Sequence, residues 1–340
     1  MGQSSRKPWR IAFPDNNDAY AKFLFSFISS HFDVALDPVD PDIVFFGVHP
    51  GYDFLKYRRA LKVFLSEENI VPDFNLADFG FGYAHLDFGD RYLRMPNFVL
   101  HPEYDDLVAR NRSVPPATDQ PRRFCNFIYS HQRGDPARAK LFEAISAYKP
   151  VEARGRLFQN APPLKYTTDH PDWRREKLAV LGSYKFTIAC ENARSPGYVT
   201  EKLTDAIAAH TIPIYWGDPG VTREFNKDRM IVVEDIDDLA PVLDRVRELD
   251  QDRSRYDEVV SAPVFTPDQL ASAVRVQAVV DFLSTIFSSV DTTRGRYLSQ
   301  KLYYERLHRM WTRDSLFEGV KRTRGWHFAG RIARFLRLHG

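Results

Sequence analysis

The sequence predicts an α/β chain of two doubly wound domains facing a cleft, followed by a basic tail of helical character. Three observations carry this. Short apolar runs alternate with helical patterns in both halves, as they do where crossover helices join parallel strands. A polar, aperiodic, Pro-rich stretch at 111–121 separates the two series and reads as a linker. The 340 residues exceed one ordinary core, whereas two domains of about 100–200 residues accommodate them.

The elements follow in order. Residues 9–13 read as a first strand, and 18–30 as a helix, because Tyr20, Phe23, Leu24 and Phe27 recur at spacings of three and four. Residues 43–46 and 63–65 read as further strands. After the linker, 124–130 is a strand, and 136–148 a helix with Leu141, Ala144, Ile145 and Tyr148 on one face. Strands at 185–190, 212–216 and 230–234 alternate with a helix at 201–209, and helices at 238–249 and 267–287 close the series. Ligands of such sheets bind beyond the carboxyl ends of the strands, where strand order reverses, so the loops after the strands of the second half are the place to look.

Composition excludes several classes. The apolar share is 44% and the charged share 27%, which is ordinary for a globular chain. No run of about 18 apolar residues suggests a membrane span. The basic start has no apolar stretch behind it, so a signal peptide is not expected, and Arg6 stands where a myristoylation pattern wants Ser or Thr. Cys125 and Cys190 lie in apolar runs that read as buried strands, so both are expected as reduced thiols in a cytoplasmic protein. The net charge is +2, but residues 321–340 hold six Lys or Arg and no acid, leaving about −4 on the rest. A mildly acidic body argues against a nucleic-acid binder, whose basic surface belongs to the fold itself.

The densest chemistry lies at 184–217. A buried strand ends in Glu191 and Asn192, a Ser-Pro-Gly turn follows, and a helix opens with Thr200 as N-cap and Glu201 and Lys202 in its first turn. Leu203, Ala206 and Ile207 face the core. The free N–H groups and positive end of a helix attract anions, and Lys202 adds a full charge there. A cation is unfavourable in the first turn of an isolated helix, so Lys202 is expected to meet an anion; the alternative is that Glu201 and Lys202 are solvated helix residues.

The run Phe-Thr-Ile-Ala-Cys-Glu-Asn, Tyr-Val-Thr-Glu-Lys-Leu and His-Thr-Ile-Pro-Ile-Tyr-Trp-Gly resembles the signature of the α-1,3/4-fucosyltransferases, family 10 of the glycosyltransferases, and most of all their bacterial members. Asp-Phe-Gly-Asp-Arg-Tyr-Leu-Arg-Met-Pro at 87–96, with Val-Pro-Asp-Phe-Asn at 71–75, is similar to their acceptor-domain block. The strand at 124–130 leading to Arg138 resembles the start of their donor domain. The likeness covers about 10–290 and weakens over 97–123.

The resemblance implies a GT-B arrangement of Rossmann-like domains: an acceptor domain at 1–118, a GDP-fucose domain at 119–292 and a tail at 293–340. It implies an inverting enzyme that moves L-fucose from GDP-β-L-fucose to a hydroxyl of a Gal/GlcNAc-type glycan, such as a lipopolysaccharide unit, with an α-1,3 linkage favoured. No cofactor is obligatory, and a divalent metal is at most stimulatory. Carried over by position, Arg138 and Lys202 bind the pyrophosphate, Glu201 the ribose hydroxyls, and Asn192 and Tyr198 line the donor pocket. The residue types fit, since two cations and a helix N-terminus stabilise the departing GDP without a metal. For Arg138 the alternative is an ordinary surface arginine.

An inverting transfer needs a general base, and the family places a glutamate two residues before the Asp-Phe of the acceptor block. In this chain that position is His85. Histidine is competent as a base near neutral pH. The alternatives are Asp87 or Asp73 through a shifted loop, a site built for another GDP-deoxysugar, or a catalytically impaired GDP- or glycan-binding protein.

Other features read more plainly. The acids at 234–238 follow a strand and precede a helix, where capping is expected rather than a metal site. His131 and Arg133 stand in the loop after the first donor-domain strand, where they approach the nucleotide or face water. Tyr52, Phe54, Tyr57, Phe79, Phe81 and Tyr83 read as core, with a sugar-stacking platform as the alternative. In the tail, Ile332, Phe335 and Leu336 among Arg331, Arg334 and Arg337 have the composition of an interfacial amphipathic helix. It predicts peripheral attachment to anionic lipid on the inner membrane face, with an extra packed helix as the alternative.

Overall fold

The computed structural model describes residues 7–48, 53–113, 121–130, 134–167 and 170–293. Tyr52, the linker at 114–120, His131, Arg133 and the tail from 294 onward lie outside the described residues.

Two parallel sheets repeat one topology. The first holds β1 (Trp9–Ala12), β2 (Val34–Leu36), β3 (Ile43–Phe46), β4 (Leu61–Phe64), β5 (Phe79–Gly82) and β6 (Tyr92–Arg94), in the order β2-β1-β3-β4-β5-β6. The second holds β7 (Arg123–Phe127), β8 (Val151–Ala153), β9 (Tyr184–Cys190), β10 (Ile212–Trp216) and β11 (Ile231–Val232), in the order β11-β10-β9-β7-β8. In each, the first strand is flanked by the second on one side and the third on the other. Strand order therefore reverses beside β1 and beside β7, and each reversal opens a crevice at the carboxyl ends.

The central strands are apolar on both faces because helices cover both. Ile43, Val44, Phe45 and Phe46 of β3 are all buried, as are Ile212 to Trp216 of β10. The helices are α1 (Asp18–Ser29), α2 (Pro102–Arg110), α3 (Ala137–Tyr148), α4 (Trp173–Leu181), α5 (Glu201–Ala208), α6 (Ala240–Gln251), α7 (Arg253–Ser261), α8 (Pro267–Ser272) and α9 (Val276–Thr293). Asn17 caps α1 by accepting from the Tyr20 N–H at 2.8 Å, and α2 stops at Asn111, whose left-handed φ of 48° ends the helix. Asp238 accepts from the Ala240 N–H at the start of α6, so one of the acids at 234–238 supports a helix start.

Helix α9 departs from the sequence-based segmentation, which assigns it to the second unit. Its buried stripe of Val279, Leu283, Ile286, Phe287 and Val290 packs on the first sheet. Trp9 and Phe32 stack on Phe287 at 6.0 and 4.8 Å, and Phe79 and Phe81 on Phe282 at 6.0 and 5.0 Å. By length and composition Pro267–Val290 would cross a membrane, but Gln277, Asp281, Ser284, Thr285 and Ser288 line its exposed side, the pattern of a surface helix on a core. Phe54, Tyr57, Phe79 and Phe81 are likewise buried and act as core.

The two units share an apolar seam. Phe98 and Tyr104 meet Phe225 and Phe265 at 5.7 and 6.2 Å, and Asn111 exchanges two hydrogen bonds with the Phe265 backbone at 2.8 and 2.9 Å.

Candidate active site

The crevice beside β7 collects the sequence-predicted donor residues. Tyr129 follows β7, Glu191 and Asn192 follow β9, Arg138 is in the first turn of α3, and Lys202 is in the first turn of α5. Arg138 is only 4% exposed. Its guanidinium lies over the Tyr129 ring at 4.5 Å and donates to the Asn192 side-chain oxygen and, at 3.5 Å, to the Cys190 carbonyl. The ring is itself fixed, because the Tyr129 hydroxyl donates to the Ile188 carbonyl at 2.9 Å and accepts from the Cys190 N–H at 2.6 Å. Among the described residues Arg138 has no carboxylate partner, and its Nε makes no hydrogen bond. A buried cation without a counter-ion is costly, so the crevice is electrostatically prepared for an anion.

Lys202 stands across this space. Burial pushes the Tyr129 hydroxyl up, and both Arg138 and Lys202 pull it the other way, so both cations flank that ring. Thr200 caps α5, as the sequence predicts, accepting from the Lys202 N–H at 3.4 Å and from Lys202 Nζ at 3.0 Å. Nζ also lies 3.4 Å from Glu191 and 3.6 Å from Glu201. Burial works against the ammonium, yet Glu201 and Glu191 outweigh it and hold Lys202 above the usual lysine range. Glu191 is fully buried and accepts from the Thr200 N–H at 2.8 Å and hydroxyl at 2.6 Å. Gly217 makes room for it, since a Cβ there would stand 2.4 Å from Glu191 Cγ. Burial would raise Glu201, but Lys202 and Lys177, with a hydrogen bond from Asn97, hold it well below the usual carboxylate range.

Asn97 belongs to the first unit, and its side chain reaches Glu201 at 3.1 Å. Asn69 likewise donates to Ser195 at 2.9 Å, and Tyr83 meets Tyr198 edge-on at 5.0 Å. Tyr198 is buried where the units meet. The loop after β4 adds Glu67, pushed up to about 7 by burial, then by Glu201 and Glu68, against an Asn17 hydrogen bond and the Lys202 charge.

His85 comes from the loop after β5 and faces the second unit. Its Nε2 is 3.2 Å from Glu224, and Arg94 is 2.7 Å from the same carboxylate oxygen. Burial, then Arg94 and Arg223, lower the His85 pKa against the opposing charge of Asp218, which favours the neutral imidazole, the form that can accept a proton. These residues border a cavity of about 260 Å³. Asp87 and Asp73 instead hold their own turns, accepting from the Gly89 and Asn75 N–H groups at 3.2 and 2.9 Å.

Comparison with known proteins now decides the family. The α-(1,3)-fucosyltransferase FucT N-terminal domain model matches residues 9–101, and the glycosyltransferase family 10 (fucosyltransferase) C-terminal model matches 119–261. The chain belongs to glycosyltransferase family 10. It is 30% identical over 275 residues to the α-(1,3)-fucosyltransferase FucT of Helicobacter pylori, a match covering 69% of this chain and 54% of that enzyme. It thus spans about half the length of that relative. A crystal structure of an α1,3-fucosyltransferase with GDP-fucose superposes with a TM-score of 0.64 at 27% identity, covering 84% of this chain and 92% of that one. A second α1,3-fucosyltransferase structure gives a TM-score of 0.68 at 25% identity, covering 88% and 93%. The fold is therefore the GT-B fold of family 10, and its likeness is to bacterial members.

Within this family 10 chain, sequence reasoning missed the pairs that cross the cleft. Arg94 and Glu224, Asn97 and Glu201, and Asn69 and Ser195 are distant in sequence, so no local spacing announces them. Glu67 carried one usable signal, an acid one residue beyond an apolar strand run.

Proposed function

We propose that this chain is an inverting α-1,3-fucosyltransferase that moves L-fucose from GDP-β-L-fucose to a hydroxyl of a Gal/GlcNAc-type glycan. The observation that carries the reading is Arg138, a buried guanidinium without a carboxylate partner among the described residues, facing a helix N-terminus that bears Lys202. A pyrophosphate supplies the missing anion. The relative from Helicobacter pylori and the GDP-fucose-bound neighbour support the same donor.

The chemistry follows from this chain's residues. The acceptor oxygen forms a bond to the sugar's anomeric carbon as the carbon–phosphate-oxygen bond breaks and GDP leaves with the electron pair. Arg138, Lys202 and the α5 N-terminus stabilise the charge gathering on the phosphate. Glu201 receives the ribose hydroxyls, while Asn192 and Tyr198 shape the pocket. His85 takes the acceptor proton. On this reading no cofactor is obligatory, and a divalent metal is at most stimulatory.

Calorimetry tests the donor site. GDP is expected to bind, and to lose all measurable affinity when Arg138 and Lys202 are both changed to alanine; unchanged affinity in that variant would end the reading. We also propose that the basic tail holds the protein on the inner membrane face, where a lipopolysaccharide precursor is a fitting acceptor. A chain ending near residue 312 is expected to remain active but to lose binding to anionic vesicles.

A further inference from the structure

The imidazole of His85 is approached along its Cδ2–Nε2 edge by the second unit. Gly197 has a φ of 81°, and a Cβ there would stand 3.1 Å from His85 Cδ2, 3.5 Å from Nε2 and 2.7 Å from the Tyr83 carbonyl. Glu224 meets the same edge, 3.2 Å from Nε2. Yet 42% of the side chain remains exposed. The carboxylate is itself fixed by Arg94, which lies 2.7 Å from Oε1 and donates to the Gly197 carbonyl at 3.1 Å. His85 and Arg94 belong to the first unit, and Glu224 and Gly197 to the second.

We propose that Glu224 is the positioning residue for His85: its carboxylate lies against the Nε2 edge across the cleft, favours the proton on Nε2 and leaves Nδ1 unprotonated toward the acceptor. The proposal rests on the reading of His85 as base. As the glycosidic bond forms and GDP departs, the acceptor's proton passes to Nδ1, and the imidazolium's charge is offset by Glu224. Water then removes the proton. The charged groups around the ring are Glu224, 3.2 Å from Nε2 and itself pushed up by burial against the pull of Arg94, Asp218, which favours the imidazolium, and Arg94 and Arg223, which oppose it. Because the two partners sit on different units, the base is oriented only while the cleft is closed, so proton transfer is tied to closure over both substrates. A histidine at the family's glutamate position is thereby supported by a carboxylate from the opposite domain.

The test is steady-state transfer from GDP-fucose by the full chain with wild type, His85→Ala, Glu224→Gln and the double variant. His85→Ala is expected to lower kcat about 10²–10⁴-fold, the usual contribution of a general base. Glu224→Gln is expected to lower kcat about 10–100-fold, to leave GDP affinity unchanged, and to move the acidic limb of the pH profile to lower pH. The double variant is expected to be no worse than His85→Ala, as for residues acting as a unit. Glu224→Gln with unaltered kcat and pH profile, beside an inactive His85→Ala, overturns the positioning role and leaves the base reading intact. His85→Ala with wild-type kcat overturns the base reading itself; if Glu67→Gln is then inactive, Glu67 is the base. Should Glu224→Gln fail to fold, ¹⁵N NMR of the wild-type ring decides, with an Nε2–H tautomer expected and an Nδ1–H tautomer contradicting the proposal.

Discussion

Replacing Arg138 with alanine separates a phosphate ligand from a structural arginine, because the two roles move binding and stability in different ways. The guanidinium fork offers two charge-assisted hydrogen bonds to a phosphate, each contributing about 1.5–3 kcal/mol. Removing a buried cation that lacks a carboxylate partner among the described residues returns part of this as relief of desolvation. A net loss of about 3 kcal/mol remains, which is about 150-fold in the Kd for GDP. At a GDP concentration about 100 times the wild-type Kd, the ligand stabilises wild type by about 2.7 kcal/mol and the variant by about 0.3 kcal/mol. The GDP-dependent rise in Tm is then expected to shrink by about 5–10 °C, using about 2–4 °C per kcal/mol. Without GDP the two proteins are expected to differ by less than about 1 kcal/mol, since no buried carboxylate is orphaned. Calorimetry and thermal melts with and without GDP read both quantities. Near-equal GDP affinity, or a loss above about 3 kcal/mol without ligand, would show Arg138 to be structural.

Further outcomes follow from the same geometry. The Glu67 carboxyl is pushed up to about 7 by burial first, so the folded chain holds a proton the unfolded chain releases. That contribution is present below the ordinary glutamate range and is lost as pH rises through about 7, so Glu67→Gln is expected to be more stable than wild type at pH 8, by about 1–2 kcal/mol, and not at pH 5. Asp205 is fully buried between Arg174 at 2.6 Å and Lys177 at 2.7 Å, and Asp205→Ala is expected to lose about 3–5 kcal/mol in a urea melt. Gly197→Ala places a Cβ 2.7 Å from the Tyr83 carbonyl at a left-handed φ, and is expected to lose about 2–3 kcal/mol and to slow transfer.

Much of this was legible in the sequence, for local reasons. β3 and β10 are continuous apolar runs because both faces are covered, β9 is one interrupted only by Lys185 and Thr187, and Thr200 marks its helix start by side-chain chemistry. β5 was missed because Phe79-Gly-Phe-Gly82 dilutes an apolar run with glycines. The structure explains the first: a Cβ at Gly80 would stand 2.9 Å from Pro72. β2, β6 and β8 are only three residues each, too short to show a period. Helix α9 displays its apolar stripe plainly, but a stripe does not name the core it joins, and it returned to the first unit. The burial of Arg138 was hidden by its residue type rather than its place, since it stands at i, i+3 and i+7 with Leu141 and Ile145 on the apolar face of its helix. Position in an aligned motif brought His85 forward, while its partner Glu224 depended on two units meeting.

Incubation of the purified chain with GDP-fucose and N-acetyllactosamine tests the central claim most directly. The expected result is one α-linked fucosyl product for each GDP released, with the product's linkage read by NMR. Tight GDP binding with no fucose transferred to this or any related glycan would contradict it.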